Sequence, residues 1–104
     1  MKIHQLINNE IVLGDGPSEK IINPFNSEII VEVPQSSNEQ VELAVQSAKT
    51  AFTSWSRTTP GDRSAMLLKV ADLIEQKAEE IARIESLNCG KPYHLVLNDE
   101  IPGV

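Results

Sequence analysis

Cysteine occurs once in this 104-residue chain, so no internal disulfide can form, and a reducing compartment such as the cytoplasm is the expected setting. Aromatic residues make up only 4% of the chain, which leaves an aliphatic, alanine-rich core as the only one it can build. Basic charge is short too. Nine Lys and Arg stand against fifteen Asp and Glu, for a net charge of −6. That balance argues against a nucleic-acid partner or an anionic membrane, both of which need a basic face. No apolar run approaches the roughly 20 residues that cross a bilayer. The opening Met1-Lys2-Ile3-His4-Gln5 lacks the apolar core of a signal peptide. No G-x-G-x-x-G or other phosphate-cradling glycine run is present, and neither is an internal repeat.

What is present is a change of period. Residues 1–35 read as strands and turns. Gln5 to Val12 carries two apolar pairs around Asn8-Asn9, a dipeptide that tolerates positive φ and suits a tight hairpin. Gly14-Asp15-Gly16-Pro17 is a loop by composition. Lys20 to Pro24 is a short extended stretch that turns at Asn23. Ser27 to Val33 reads as a strand, rich in β-branched residues and ended by Pro34.

The period then becomes helical. Ser37 and Gln40 form a capping-box pattern, and Val41, Ala44, Val45, Ala48, Ala51, Phe52 and Trp55 follow on one stripe, predicting a helix over 37–56. Thr59, Pro60 and Asp62 mark the start of a second helix over 60–88. Its stripe runs through Leu67, Val70, Ala71, Ile74, Ala78, Ile81 and Ile84 to Leu87, roughly 28 residues or about 40 Å, with a bend expected near Gln76-Lys77. Gly90 and Pro92 stop it, and a third helix is expected to begin within 92–104, through Leu95, Val96 and Leu97. The predicted fold class is α+β: N-terminal β-hairpins, two long amphipathic helices and the start of a third. Ile101-Pro102-Gly103-Val104 has no polar tail, so either Pro102 stops the last element or the natural protein continues.

The run Glu85-Ser86-Leu87-Asn88-Cys89-Gly90-Lys91-Pro92 resembles the E-(S/T)-L-(D/N)-x-G-K-P segment of NAD(P)-dependent aldehyde dehydrogenases. Further pieces follow in the family's order: Leu6 to Glu10, Ile22 to Glu28, then Ala48, Ala51, Phe52 and Trp55, then Arg63 with Leu67 to Ile74. The similarity spans nearly the whole chain. The spelling of residues 88–92, followed by Asn98-Asp99-Glu100-Ile101-Pro102, is similar to the gamma-aminobutyraldehyde (1-pyrroline) dehydrogenases, with the betaine-aldehyde type as near neighbour.

The resemblance implies a parent several times longer, with a Rossmann-like α/β cofactor domain, a catalytic domain and a β-extension used to form a homodimer or homotetramer. Residues 1–104 would be the N-terminal part of the cofactor-binding domain. The parent's reaction would convert an aldehyde to its acid through a cysteine thioester, passing hydride to NAD. The family's nucleophilic cysteine, general-base glutamate, oxyanion asparagine and cofactor loop all lie downstream. No residue here is therefore assigned a catalytic or cofactor-binding role, and the chain alone is expected to be inactive. Its expected partner is the remainder of the parent or a second copy. The resemblance also implies a monovalent-cation site held by the carbonyls of Ile21 and Ile22 and by Asn88, an amide where the family has a carboxylate.

Several chemistry-bearing residues read as structural. Cys89 follows the negative end of a helix, which disfavours a thiolate, and it occupies the variable position of the family pattern. His4 and His94 have no partner at metal-ligand spacing. Glu79-Glu80 and Asp99-Glu100 are read as solvated carboxylates. Lys91 either binds the carbonyls of the preceding helix end or serves solubility. A second reading of the whole chain, from a different functional class, is a stand-alone α+β module that binds a protein partner.

Overall fold

A computed structural model describes residues 3–104. Its strands are β1 (Gln5–Ile7), β2 (Glu10–Val12), β3 (Ser18–Ile22) and β4 (Ile29–Pro34). Its helices are α1 (Asn38–Trp55), α2 (Pro60–Gln76), α3 (Ala78–Cys89) and the single turn α4 (Tyr93–Leu95). A π-helical turn over Val96–Glu100 and a 3-10 turn over Ile101–Gly103 follow. The strands form two separate two-stranded sheets, β1 with β2 and β3 with β4. The arrangement is a small α+β assembly, the class expected from the change of period. The chain divides into two compact units.

The first unit runs up to Ile21 and resumes over Val31–Thr58. Asn8 and Asn9 both take positive φ, 52° and 63°, and close a two-residue turn. That turn pairs Gln5 with Val12, Leu6 with Ile11 and Ile7 with Glu10, antiparallel. Ile7 is the buried hydrophobic residue among the described residues of the unit. The capping box forms as read. The Gln40 N–H donates to Ser37 Oγ at 3.2 Å, while the Ser37 N–H reaches Gln40 Oε1 at 3.3 Å. The same Gln40 side chain donates to the Leu13 carbonyl at 2.8 Å. Asp15 Oδ1 accepts from the Ser37 N–H at 3.1 Å, so the glycine loop is stapled to the start of α1. In mid-helix, Ser47 and Thr50 return their hydroxyls to the carbonyls of Leu43 and Gln46. No side chain of α1 is buried.

The second unit comprises Ile22–Ile30 and Thr59–Val104. Ala82, Val96 and Ile101 form its core, with Ile74, Ala78, Ile81, Tyr93 and Leu97 packed around them. Three sequence expectations are corrected in this unit. The stretch 60–88 is two helices, broken at Lys77, whose φ of −107° and ψ of 12° leave the helical region. The Lys77 N–H is shared between the carbonyls of Leu73 and Ile74, at 3.2 and 3.1 Å, which tightens the last turn of α2. Lys77 offers no side-chain acceptor, so Glu79 and Glu80 supply the negative charge at the start of α3.

The predicted third helix is also irregular. Pro102 lacks the N–H that an α-helix would direct at the carbonyl of residue 98. The turn widens, and the Ile101 N–H bonds the Val96 carbonyl, five residues back. The widening carries Ile101 into the core beside Val96.

The strand expected from Ser27 starts at Ile29. Ser27 has φ 62° and closes a turn in which its N–H bonds the Asn23 carbonyl at 2.8 Å. Asn23 Oδ1 accepts from the Phe25 N–H at 2.9 Å, and Asn26 Oδ1 from the Glu28 N–H at 3.1 Å. These local side-chain bonds outcompete β extension for the first two residues.

Candidate functional site

The motif that ends α3 was the strongest sequence signal, and it lies within the second unit. Gly90 takes the left-handed conformation, φ 74°, and its N–H bonds the Ser86 carbonyl. A side chain at this position would be strained by φ alone. It would also meet Pro24 Cγ at 2.9 Å. The Asn23-Pro24 turn and the Gly90 stop, far apart in sequence, are therefore in close contact.

Lys91 does not cap the carbonyls of α3. Its ammonium bridges two carboxylates, Glu100 Oε2 at 2.9 Å and Glu85 Oε1 at 3.2 Å. The hydrogen bond to Glu100, and then that to Glu85, holds the Lys91 pKa above its ordinary 10.5. Sequence reasoning missed both partners. The Glu100 pairing depends on the widened turn before Ile101, for which no simple pattern exists. Pro92 then opens α4, where the rings of Tyr93 and His94 meet edge to face at 5.4 Å.

The remaining candidates lie on different elements. Cys89 is an exposed free thiol that accepts from the Asn88 side-chain amide at 3.8 Å. Asn88 lies in the last turn of α3, while Ile21 and Ile22 are the last residues of β3. His4 precedes β1 and is exposed. Among the described residues no group of three His, Cys, Asp or Glu could hold a metal ion. No helix among them is long and apolar enough to cross a membrane.

Two clefts are lined by described residues that do not set a nucleophile beside a base. One of about 280 Å³ lies between the β1–β2 turn and α1, lined by Leu6, Ile7, Asn8, Ala44, Ser47 and Ala48 among others, with no ionisable group. Another, at the α2–α3 break, is edged by Glu75, Glu79 and Glu80. The glycines do not make a phosphate cradle either. Gly14 packs against the carbonyls of Pro34 and Gln35, and Gly16 would bring a Cβ to 2.9 Å from the Gln35 oxygen. Carbonyl oxygens at that position repel a pyrophosphate, so these residues do not fit a nicotinamide dinucleotide.

The Asn-Pro turn, the helix pair and the Gly90-Lys91-Pro92 stop stand in the order that carried the family resemblance. The sequence model of the aldehyde dehydrogenase family matches residues 12–104. The chain belongs to that family.

Among curated relatives, an aldehyde dehydrogenase of Alternaria alternata is 39% identical over 98 residues, covering 92% of this chain and 20% of its own. A 2-aminomuconic semialdehyde dehydrogenase of Danio rerio is 43% identical over 89 residues, covering 83% of this chain and 18% of its own. Among solved structures, an NAD-dependent benzaldehyde dehydrogenase of Corynebacterium glutamicum superposes with a TM-score of 0.90 at 31% identity. That match covers 96% of this chain and 22% of the enzyme. The chain thus spans about a fifth of the length of the family members it matches.

Proposed function

We propose that this chain is the N-terminal segment of an NAD-dependent aldehyde dehydrogenase, and that alone it is catalytically inert. The observation that carries the reading is the family match over residues 12–104, at about a fifth of the relatives' length. Oxidation of the aldehyde by the whole enzyme would proceed through a cysteine thioester, with NAD accepting the hydride. Nothing in these residues binds the dinucleotide or attacks a carbonyl. Their part is to hold shape around the Gly90 stop and the Ala82–Val96–Ile101 core. The purified 104-residue chain should form no NADH with any aldehyde, and measurable aldehyde-dependent NADH would overturn the reading.

The substrate class we favour is an aminoaldehyde. The spelling of Asn88 to Pro92 and of Asn98 to Pro102 supports it, as does a relative named for an amino-bearing semialdehyde. A whole enzyme carrying this segment should show a kcat/KM at least about tenfold higher for 4-aminobutanal than for an unsubstituted aldehyde of equal length. Equal values would remove the aminoaldehyde assignment and leave the family intact. We further assign the whole enzyme to the cytoplasm, as a homodimer or homotetramer. It would also bind a monovalent cation through the carbonyls of Ile21 and Ile22, the Asn88 side-chain oxygen and groups outside this chain. Activity and Tm unchanged when K⁺ is replaced by tetramethylammonium would sink the cation assignment.

A further inference from the structure

Along α1 the apolar residues fall on two neighbouring lines. The β1–β2 hairpin sits against Ala44 and Ser47, which are half-buried there. Beside them Val41, Val45, Ala48, Phe52 and Trp55 recur at alternating four- and three-residue steps, the spacing of a seam between two paired helices. Val41 is 53% exposed, Val45 55%, Phe52 64% and Trp55 41%, and Ala48 is exposed with them. Two charged residues border the seam on its other side. Glu42 and Lys49 stand seven residues apart, and Lys49 is the sole base of α1. Seven residues rise about 10 Å along a helix, so these two charges cannot pair within one chain.

A helix that meets this seam needs matching side-chain sizes and the opposite order of charge. A second copy of α1, run antiparallel, has both. About a two-fold axis between Gln46 and Ser47, Phe52 faces Val41 of the second copy and Val45 faces Ala48, so a larger side chain meets a smaller one at each level. The same axis brings Glu42 beside Lys49 of the second copy, and does so twice. A parallel pair would set Glu42 opposite Ser37 and Lys49 opposite Ala44, with no charge to meet. The exposed area of the five seam residues comes to roughly 1,000 Å² over two copies, and the stems of Glu42 and Lys49 bring it to about the 1,200 Å² at which stable interfaces begin.

We propose that the Val41–Val45–Ala48–Phe52–Trp55 seam of α1 is a self-association surface, on which two copies of this chain pair as an antiparallel helix dimer bordered by Glu42–Lys49 ion pairs. The inference is independent of the enzymatic reading. It concerns the 104-residue chain by itself, and it stands whether or not a longer relative oxidises an aldehyde.

The test is sedimentation equilibrium of the purified 104-residue chain from about 1 to 200 μM. The expected result is a reversible monomer–dimer equilibrium with a Kd on the order of 10 μM, since the area is at the low end for a stable interface. Glu42→Lys alone and Lys49→Glu alone set like charges against each other, and each should raise the Kd about fivefold. Glu42→Lys combined with Lys49→Glu restores opposite charges only between copies, and should return the Kd to within about twofold of wild type. Phe52→Glu should leave the chain monomeric over the whole range, with far-UV circular dichroism as helical as the dilute wild type. If that variant loses its helix, the three charge variants, at exposed positions, decide alone. A wild-type chain still monomeric at the highest concentration would overturn the proposal. So would assemblies larger than two, a dimer indifferent to a helical Phe52→Glu, or a double exchange no tighter than the single ones. Aldehyde-dependent NADH formation bears on the enzymatic reading alone and leaves the dimer untouched.

Discussion

In the unit built on α2 and α3, apolar side chains meet one another. Ala82 is fully buried and Val96 nearly so, and two turns of irregular geometry bring Ile101 to them. In the unit built on α1, polar groups do most of the holding. Gln40, Asp15 and Ser37 tie a glycine loop to a helix start at largely exposed positions, while Val41, Val45 and Phe52 stay in water. The difference separates two kinds of order. Hydrogen bonds exchanged against water fix a conformation while adding little net stability, whereas burial adds stability directly. One unit carries a nucleus of its own, and the other is shaped ahead of the surface that would bury it.

The sharpest way to break this contrast is Ala82→Asp. A carboxylate in a fully buried alanine site should cost about 3 kcal/mol or more. Amide exchange protection over residues 78–101 should disappear. An equal loss over residues 38–55 would mean that the two units share one nucleus, and the contrast would fail.

Gly90→Ala comes next. The left-handed φ alone costs about 1–2 kcal/mol, and contact with Pro24 adds to it. Adding Pro24→Ala should recover the steric part and leave the φ part. Full recovery would show that φ contributes nothing there. In the other unit, Gln40→Ala should cost about 1 kcal/mol, read as earlier fraying of the α1 start. A loss as large as that of Ala82→Asp would reverse the ranking of the units.

The smallest effect belongs to Lys91→Met. Folding raises the Lys91 pKa above 10.5, so the stability it contributes is fully present below that pH. It is lost as pH rises through the higher folded-state value. The Tm difference between wild type and variant should be constant from neutral pH up to about 10.5 and shrink above it. A difference that grows with pH would contradict the ion-pair assignment.

Features governed by adjacent residues were legible in the sequence. Asn8-Asn9 announced a hairpin, Ser37 with Gln40 a capping box, Thr59-Pro60 a helix start and Gly90 a left-handed stop. Features governed by competition or by distance were not. A bend near Gln76-Lys77 was legible, but not the full break there, made without glycine or proline by sharing one N–H between two carbonyls. Ser27 leaves the strand because asparagine side chains satisfy the backbone first. Lys91 finds Glu100 only after Pro102 has widened a turn. What Gly14 and Gly16 do needed the carbonyls of Pro34 and Gln35 in place.

The short register of buried side chains has a thermodynamic consequence. Among the described residues only Ile7, Ala82, Val96 and Ile101 are apolar and buried. Unfolding would therefore expose little new apolar surface, and the heat-capacity increment should fall well below the roughly 1.2–1.5 kcal/mol/K usual for a hundred residues. Gibbs–Helmholtz curvature scales with that increment. The isolated chain should melt over a broad interval and lose little stability on cooling, behaving less like a domain than like a part kept ready for assembly.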